Sequence, residues 1–372
     1  MSKASSAPTP SGFKLSSLFQ VNTLLIFLPI ALLLRAGQAG DVVIFGAAAL
    51  AIIPLAGLIG TATEAVAAKL GPGLGGLINA TLGNAAELII TIFALRAGLV
   101  ELVKASIIGS VIGNLLFVLG LSMVMGGLKN CTQSFDRRTA SMNATFVILA
   151  FMLLAIPSAF HDAIITAPDG SNRELFFSEG LALIIITLYG LYLVYTLRNP
   201  VSHETEPHHH GAMSTRTALI VLTLATLGIV LMSETLVGTV EAVGHTLGLS
   251  EFFIGIIIVP LIGNVAEHMV AVQVAYKNRM DLSLSISLGS SLQIGLFVAP
   301  ILVFISLLFE KKLLLVFNAY ELLALAVASV VAALVSLDGE SNWLEGVVLL
   351  AVYVIFGLAF FLIPSAAPAV IH

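Results

Sequence analysis

Long runs of apolar residues, separated by short polar or glycine-containing stretches, set the pattern of this chain. Eleven runs approach the roughly 20 residues that an α-helix needs to cross a bilayer. The pattern predicts an all-α polytopic membrane protein with about 11 transmembrane helices, with an interruption at 68–76 marked by Lys69 and Gly71-Pro72-Gly73. The predicted spans are 19–36, 42–68, 74–97, 99–128, 140–160, 177–197, 216–238, 250–276, 280–309, 318–336 and 343–363.

One short polar sequence occurs twice inside these apolar runs. Gly83-Asn84-Ala85-Ala86-Glu87 is followed 180 positions later by Gly263-Asn264-Val265-Ala266-Glu267, and Gly109-Ser110 recurs as Gly289-Ser290 at the same offset. The recurrence predicts two copies of five helices and one leading helix. Because five is odd, the second copy enters the membrane inverted. The predicted units are an N-terminal segment with the first helix (1–41), repeat 1 (42–198), a polar cytoplasmic linker (199–215), and repeat 2 with a short C-terminal tail (216–372).

Composition agrees with a membrane protein and excludes other classes. Apolar residues make up 58% of the chain and charged residues 10%, with a mean hydropathy of +1.07, whereas soluble domains carry about 25% charged residues. The net charge of −5 offers no basic surface, which argues against a nucleic-acid partner. The single cysteine, Cys131, allows neither an intrachain disulfide nor a cysteine-based metal site.

The basic residues predict the orientation in the membrane. With the N-terminus in the cytoplasm, ten Lys and Arg residues lie in inner segments and six in outer ones, in the sense of the positive-inside rule. We expect an integral membrane protein of a prokaryotic cell membrane, and a vacuolar or thylakoid membrane is also compatible with the sequence.

The duplicated motif has the composition of a cation site. On a helix, Asn84 and Glu87 are three residues apart and share a face, as do Asn264 and Glu267. Carboxylate and amide oxygens are hard ligands of the kind that Ca²⁺ prefers, and the lack of thiols in both motifs argues against zinc or copper. A carboxylate at membrane depth costs roughly 3 kcal/mol and is kept mainly where it acts on ions or protons. We therefore expect these four residues to be the metal ligands.

The helix that follows each motif adds further polar groups. Ser110 and Asn114 are four residues apart in the first copy, and Ser290 and Gln293 are three apart in the second. They are predicted to be further ligands or groups that orient the glutamates. Serine, asparagine and glutamine also join membrane helices by hydrogen bonds without any role in transport, so this alternative stays open.

Three other polar features have two interpretations each. Glu64 and Glu241 form a second duplicated pair near helix ends, and they are either solvated or take part in gating or proton relay. His268 either belongs to a proton pathway or is a hydrogen-bonded interior histidine. The linker, with His203 and His208-His209-His210, either binds a metal or senses pH, or is a solvated connector.

Both motifs resemble those of a known family. Leu77-Ile78-Asn79-Ala80-Thr81-Leu82-Gly83-Asn84-Ala85-Ala86-Glu87 and Pro260-Leu261-Ile262-Gly263-Asn264-Val265-Ala266-Glu267-His268 are similar to the two signature repeats of the calcium/proton antiporters, the cation/proton exchanger branch of the calcium/cation antiporter superfamily. The resemblance covers essentially the whole chain, and the motifs differ from the Ser-x-Pro-Glu motifs of sodium/calcium exchangers. Gly113 departs from the pattern, because many members have serine there.

The resemblance implies that two glutamates carry Ca²⁺ and protons in turn. Two ionised carboxylates neutralise one divalent cation, and two protons neutralise the same pair, so either loaded form crosses more cheaply than the empty charged site. The sequence therefore predicts a secondary active transporter that exchanges Ca²⁺ for H⁺ by alternating access, with gates at 42–68 and 216–238 and without enzyme chemistry or a cofactor. The residues implied are the carriers Glu87 and Glu267, surrounded by Asn84, Asn264, Ser110, Ser290 and Gln293.

Other functions fit the sequence less well. A sodium- or potassium-coupled calcium exchanger is the alternative within transport. An intramembrane hydrolase requires a motif such as His-Glu-x-x-His, which Glu267-His268 does not complete. A passive channel requires rings of ligands around a pore. The expected partners are Ca²⁺, H⁺ and the lipid bilayer, and a homo-oligomer is left open.

Overall fold

The computed structural model describes residues 21–198 and 213–364, and within these ranges the chain is almost entirely helical. The linker histidines at 203–210 lie outside the described residues. We number the helices in chain order: α1 Thr23–Ala36, α2 Asp41–Leu82, α3 Ala85–Arg96, α4 Val100–Asn130, α5 Arg137–Ile165, α6 Gly170–Arg198, α7 Thr215–Val237, α8 Val240–Leu247, α9 Glu251–Tyr276, α10 Met280–Ser306, α11 Ala319–Val335 and α12 Trp343–Leu362.

The helices have the lengths and surfaces of a membrane protein. Counting only residues that the structure describes, eight helices are long and apolar enough to cross a bilayer, and α1 and α11 are shorter apolar helices. Helices suit this environment because they satisfy their own backbone hydrogen bonds where water is absent. The outer faces of α6, α7 and α12 expose large apolar side chains, among them Leu191, Leu224 and Ile355. The chain is therefore an integral all-α membrane protein.

Helix α4 lies at the centre of the molecule. Its most apolar stretch is 83% buried, whereas that of α12 is 17% buried. It packs against α9, α10 and α12. Because α4 carries polar residues of the first copy, and α9 and α10 carry those of the second, this packing brings both sets to the centre.

Glycines allow α4 and α9 to approach each other to backbone contact. A Cβ atom at Gly109 would collide with the Ile256 carbonyl, and one at Gly255 would lie 2.8 Å from Cβ of Ala105. Small residues at helix crossings favour such close packing in membranes. The contact also fixes where Ser110, the residue after Gly109, stands relative to α9.

A proline and a π-turn act together in this contact. Pro260 has no N–H to donate to the carbonyl of Ile256, four residues earlier, and its ring would clash with that carbonyl in a regular α-helix. A wider π-turn relieves the clash, and the Ile256 carbonyl instead lies against Gly109. The π-turns span Gly113–Val118 in α4, Ile254–Ile258 in α9 before Pro260, and Ile294–Val298 in α10 before Pro300.

The predicted interruption at 68–76 is a reversal of the chain within α2. Helical backbone runs from Asp41 to Leu82, but a Cβ at Gly75 would lie 2.3 Å from the carbonyl oxygen of Ala67, eight residues earlier, whereas a straight helix rises about 12 Å over eight residues. The first difference from the prediction is the break between α2 and α3 at Gly83 and Asn84, inside the predicted third span, 74–97.

A second difference is the short helix α8, which lies between the predicted spans 216–238 and 250–276. Glu241 stands in its first turn, where a carboxylate interacts favourably with the positive end of the helix dipole. Gly248 ends the helix with a φ of +68°, a left-handed conformation that glycine adopts without strain.

Two short strands tie the loops together at the end of the molecule predicted to be cytoplasmic. Strand β1, Gln133–Ser134, pairs antiparallel with β2, Glu340–Ser341, and so joins the α4–α5 loop to the α11–α12 loop. The Gln133 amide donates to the Ala275 carbonyl at the end of α9, with an N–O distance of 2.8 Å. The inner ends of α4 and α9 are therefore held together.

The glycine contact between α4 and α9 yields a stability prediction. Gly109→Ala should lower the thermal unfolding midpoint in detergent, because the new Cβ collides with backbone of Ile256 at a cost of about 1–3 kcal/mol. Gly289→Ala is the matched control, since no atom of the described residues lies within 4 Å of its Cβ position. Equal midpoints for the two variants would contradict the close contact.

Candidate cation-binding site

The two duplicated motifs lie against each other where α3 meets α9. The Cγ atom of Glu87 lies 3.1 Å from the position of a Cβ at Gly263, and Oε1 of Glu267 lies 3.5 Å from that of a Cβ at Gly83. Each glutamate therefore occupies space beside the glycine of the other motif. This packing role of the two glycines is one that the sequence analysis missed, although their repetition before each asparagine was the available signal.

The backbone around Glu87 favours a carboxylate. The chain turns at Gly83 and Asn84, and α3 begins directly afterwards, so that Glu87 stands in the first helical turn. The free N–H groups at a helix start carry a partial positive charge that stabilises an anion. In the second motif, by contrast, Asn264 lies inside the continuous helix α9.

Neutral donors hold one oxygen of Glu87. Oε1 accepts hydrogen bonds from the Ser110 hydroxyl and from Nδ2 of Asn264, the latter at 2.5 Å. Ser110 comes from α4 and Asn264 from α9, so a residue of the first motif is oriented by both copies. Glu87 is buried, as are both donors.

The second motif has a similar set of neighbours. The Ser290 hydroxyl, on the helix after the second motif, accepts a hydrogen bond from Nδ2 of Asn114 at 3.0 Å. Nδ2 of Asn84 donates to Oε1 of Gln293 at 2.6 Å. The asparagine amides thus bond across the two copies, and Ser110, Asn114, Ser290 and Gln293 all lie at the site.

Three oxygen atoms of the site have no hydrogen-bond partner among the described residues. They are Oδ1 of Asn84, Oε2 of Glu87 and Oε2 of Glu267, and all three are buried. An unsatisfied buried acceptor costs about 1–3 kcal/mol, and more if it is charged. These two carboxylate oxygens and one amide oxygen come from both motifs. They are oxygen ligands of the kind that bind a hard divalent cation.

Access to this site is uneven. Glu267 and Gln293 are partly exposed, whereas the other residues of the candidate site are buried. A Cβ atom placed on Gly57 of α2 would lie 3.7 Å from Cβ of Ala266, the residue before Glu267. Thr61 and Glu64 are exposed and follow Gly57 on the same helical face, at the end predicted to be cytoplasmic. This face therefore leads from the cytoplasmic end to Glu267.

The weaker candidates lie away from the paired glutamates. Glu64 is about 10 Å further along α2 than Gly57, and Glu241 is an exposed residue at the start of α8. His268 is buried beside the Phe117 ring, with a centroid distance of 6.1 Å, and neither ring nitrogen has a hydrogen-bond partner within the described part of the chain.

The donor chemistry separates this site from a transition-metal centre. In residues 21–198 and 213–364 there is no group of three or more His, Cys, Asp and Glu side chains placed to hold a metal ion. The site instead combines two carboxylates with amides and hydroxyls, the oxygen ligands of hard cations.

Comparison with known proteins places these features in a family. The chain is 42% identical over 364 residues to a Ca(2+)/H(+) antiporter of Aphanothece halophytica, covering 92% of this chain and 96% of that protein. It is 43% identical over 332 residues to the Ca(2+)/H(+) antiporter ChaA of Bacillus subtilis, covering 86% and 92%.

The structure agrees with these sequence matches. It is similar to the crystal structure of the Ca2+/H+ antiporter protein YfkE, with a TM-score of 0.81 and 39% identity, covering 94% of this chain and all of the other. The family model described as sodium/calcium exchanger protein matches residues 40–198 and 217–362. These matches confirm the resemblance to calcium/proton antiporters, and the chain belongs to the sodium/calcium exchanger protein family.

Proposed function

We propose that this protein exchanges Ca²⁺ for H⁺ across a membrane, with Glu87 and Glu267 binding the cation or protons in turn. One observation carries the proposal. Glu87 and Glu267 meet at the crossing of the two motifs, and Glu87, Glu267 and Asn84 each have a buried oxygen without a hydrogen-bond partner among the described residues. Relatives that share about 40% of their residues with the chain are named Ca²⁺/H⁺ antiporters, which supports the same substrates here.

The charges of the site explain why exchange is coupled. Ser110 and Asn264 occupy Oε1 of Glu87, which leaves Oε2 for the cargo. One Ca²⁺ or two protons cancel the two negative charges of the carboxylates. The unloaded pair has two uncompensated charges at membrane depth, a form too costly to pass between inward- and outward-facing states. Each crossing therefore requires a load.

The architecture proposed for this exchange is eleven spans in two inverted five-helix repeats, at 42–198 and 216–372, after a leading helix. The two halves differ in a way that supports two access states. The motif of the first half is interrupted at Gly83 and Asn84, whereas the motif of the second half lies within the continuous helix α9. Helices α2 and α7 pack along each other and are the proposed gates.

The remaining polar residues have roles along the access routes. Glu64 would collect cations at the cytoplasmic end of the exposed α2 face, and Glu241 would act near the opposite end of α7. The linker histidines remain a prediction. A prokaryotic cell membrane is the proposed location, with the N-terminus and the linker in the cytoplasm.

The first prediction tests the driving ion. In vesicles reconstituted with the purified protein, an imposed pH gradient should drive Ca²⁺ uptake, and sodium or potassium gradients should not. The two titratable carboxylates provide the sites for protons, and the motifs lack the Ser-x-Pro-Glu pattern. Flux that requires a sodium gradient would instead support the sodium-coupled alternative.

The second prediction concerns the two carriers. Glu87→Gln and Glu267→Gln keep the side-chain size but remove the charge and the titratable proton, so each should reduce pH-driven Ca²⁺ flux to the level of empty vesicles. Glu251→Gln is the matched control. Glu251 lies on α9, as Glu267 does, but at the outer end of the helix, where its carboxylate accepts a hydrogen bond from the Leu102 backbone N–H at 3.3 Å.

The thermal unfolding midpoint of each variant should be measured in detergent alongside its flux. A well-folded Glu87 or Glu267 variant that transports at the wild-type rate would exclude that residue as a carrier. Loss of flux in the Glu251 variant with an unchanged midpoint would show that the effect is not specific to the paired site.

The third prediction follows from competition for the same oxygens. Calcium affinity of the purified protein should fall as pH falls, because a protonated carboxylate cannot bind the cation. If two protons leave for each Ca²⁺, affinity changes by at most about a hundredfold per pH unit. Calcium titrations at several pH values, with proton release recorded in weak buffer, measure both quantities. An affinity independent of pH, without proton release, would refute competition at this site.

A further inference from the structure

We propose that the interface of α4, α9 and α10 holds ordered water that carries protons between the cation site and the inner end of the molecule. We call this interface the hydroxyl seam and define it by Ser122, Ser283, Ser287 and His268. The proposal rests on the proposed function and adds to it a proton route separate from the cation route.

Unsatisfied polar atoms concentrate in this region. Among the described residues, fifteen buried side-chain nitrogen and oxygen atoms lack a hydrogen-bond partner. Three belong to the cation site. Five others belong to the hydroxyl seam: the hydroxyls of Ser122, Ser283 and Ser287 and both ring nitrogens of His268. A sixth, Oε1 of Gln133, lies at the inner end of α9.

The serines of α10 face α4 and α9. Ser283, Ser287 and Ser290 follow the i, i+4, i+7 spacing of one helical face, and Ser290 accepts a hydrogen bond from Asn114 of α4. Leu284 and Leu288 lie about 100° further around α10 and line a pocket with residues at the start of α5. Ser283 and Ser287 therefore lie on the same side as the cation site.

Ser122 of α4 faces the same interface. Gly126, four residues further along the helix, lies against the Ala275 carbonyl of α9, at 3.1 Å from its Cβ position, so this face is directed at the inner half of α9. The π-turn in α4 inserts one residue, which aligns residues eight apart instead of seven. Asn114, at the site, and Ser122 thus share a face.

The polar groups of the seam follow one another in order along the helices. His268 follows Glu267 directly and lies beside Phe117, in the middle of α4. Ser122 is five residues further inward on α4, and Gln133 follows at the inner loop. Polar groups are therefore placed from the neighbour of a carrier glutamate to the inner end of the molecule.

Water and protons fit this seam better than a cation does. A buried hydroxyl without a partner costs about 1–3 kcal/mol, and an ordered water with two to four polar neighbours removes that cost. The four defining residues include no carboxylate, so a divalent cation would find no charge compensation there. The exposed face of α2 with Thr61 and Glu64 offers the cation another way to Glu267.

Proton transfer through such a seam requires no group to change its charge. Each water or hydroxyl accepts one proton and gives up another, so an O–H bond forms as another breaks. At the His268 ring an N–H bond forms at one nitrogen as the N–H bond at the other breaks, and no charge remains behind. His268 takes part as a neutral ring, which has one donor and one acceptor nitrogen.

The test compares Ser122→Ala, Ser283→Ala and Ser287→Ala, singly and combined, with the matched control Ser291→Ala. Ser291 is equally buried in α10, but its hydroxyl is satisfied by the Ser287 carbonyl at 2.9 Å. The combined variant should lower the rate of pH-driven Ca²⁺ flux by about tenfold or more while calcium affinity at fixed pH stays unchanged. The control should keep the wild-type rate.

The opposite outcome has a distinct signature. If the three hydroxyls are dry, their removal by substitution with alanine eliminates unsatisfied polar atoms, and the unfolding midpoint should rise while the flux stays at the wild-type level. That result would overturn the proposal. If the combined variant does not fold, the single variants decide, since each breaks the same route.

Failure of the proposed function is distinguished by the wild-type protein. Absence of pH-driven flux in the wild type would refute the exchange itself. The unfolding midpoints of the serine variants would then still test for water in the seam. A higher midpoint than that of the wild type indicates dry hydroxyls, and a lower midpoint indicates hydroxyls that are hydrogen-bonded to water.

Discussion

The rest of the structure depends on the pairing of two carboxylates inside a membrane. Glu87 and Glu267 lie across one helix crossing, and each acts on the other as a like charge in an apolar surrounding. Such a pair is stable only when a cation or protons compensate it. The glycines at the crossing, the hydroxyl and amide donors and the two-copy architecture all follow from the need to bring these two groups together and keep them available.

Close backbone packing provides the precision that this pair requires. Gly109 and Gly255 let α4 and α9 touch, and the π-turn before Pro260 directs the Ile256 carbonyl into that contact. A tightly packed interior has few arrangements, so Ser110 on α4 and Asn264 on α9 meet Glu87 from fixed directions. Deep burial of α4 and the hydrogen bond between Gln133 and the end of α9 favour these helices as the rigid frame against which the proposed gates, α2 and α7, move.

Sequence alone predicted the members of the site better than the backbone around them. Glu87, Asn84 and their counterparts were identifiable because polar residues are costly at membrane depth. The recurrence of the same motif in both copies also argued against a chance occurrence. The different backbones of the two motifs were not predictable, since the same Gly-Asn pair interrupts the helix at Gly83 and Asn84 but lies inside the continuous α9 at Gly263 and Asn264. The hydroxyl seam was not predicted either. In the sequence, Ser283 and Ser287 cannot be told from serines that only join membrane helices, and the structure alone shows that their hydroxyls lack hydrogen-bond partners among the described residues.

The neutral donors around the carboxylates are themselves part of the proposed mechanism. An arginine or lysine beside Glu87 would form a buried ion pair, which is costly to break and would compete with the cargo for the same charge. Serine and asparagine orient the carboxylate through hydrogen bonds without cancelling its charge. The full charge of the pair is therefore left for Ca²⁺ or for two protons. Because the donors hold only one oxygen of Glu87, the same geometry serves both loads.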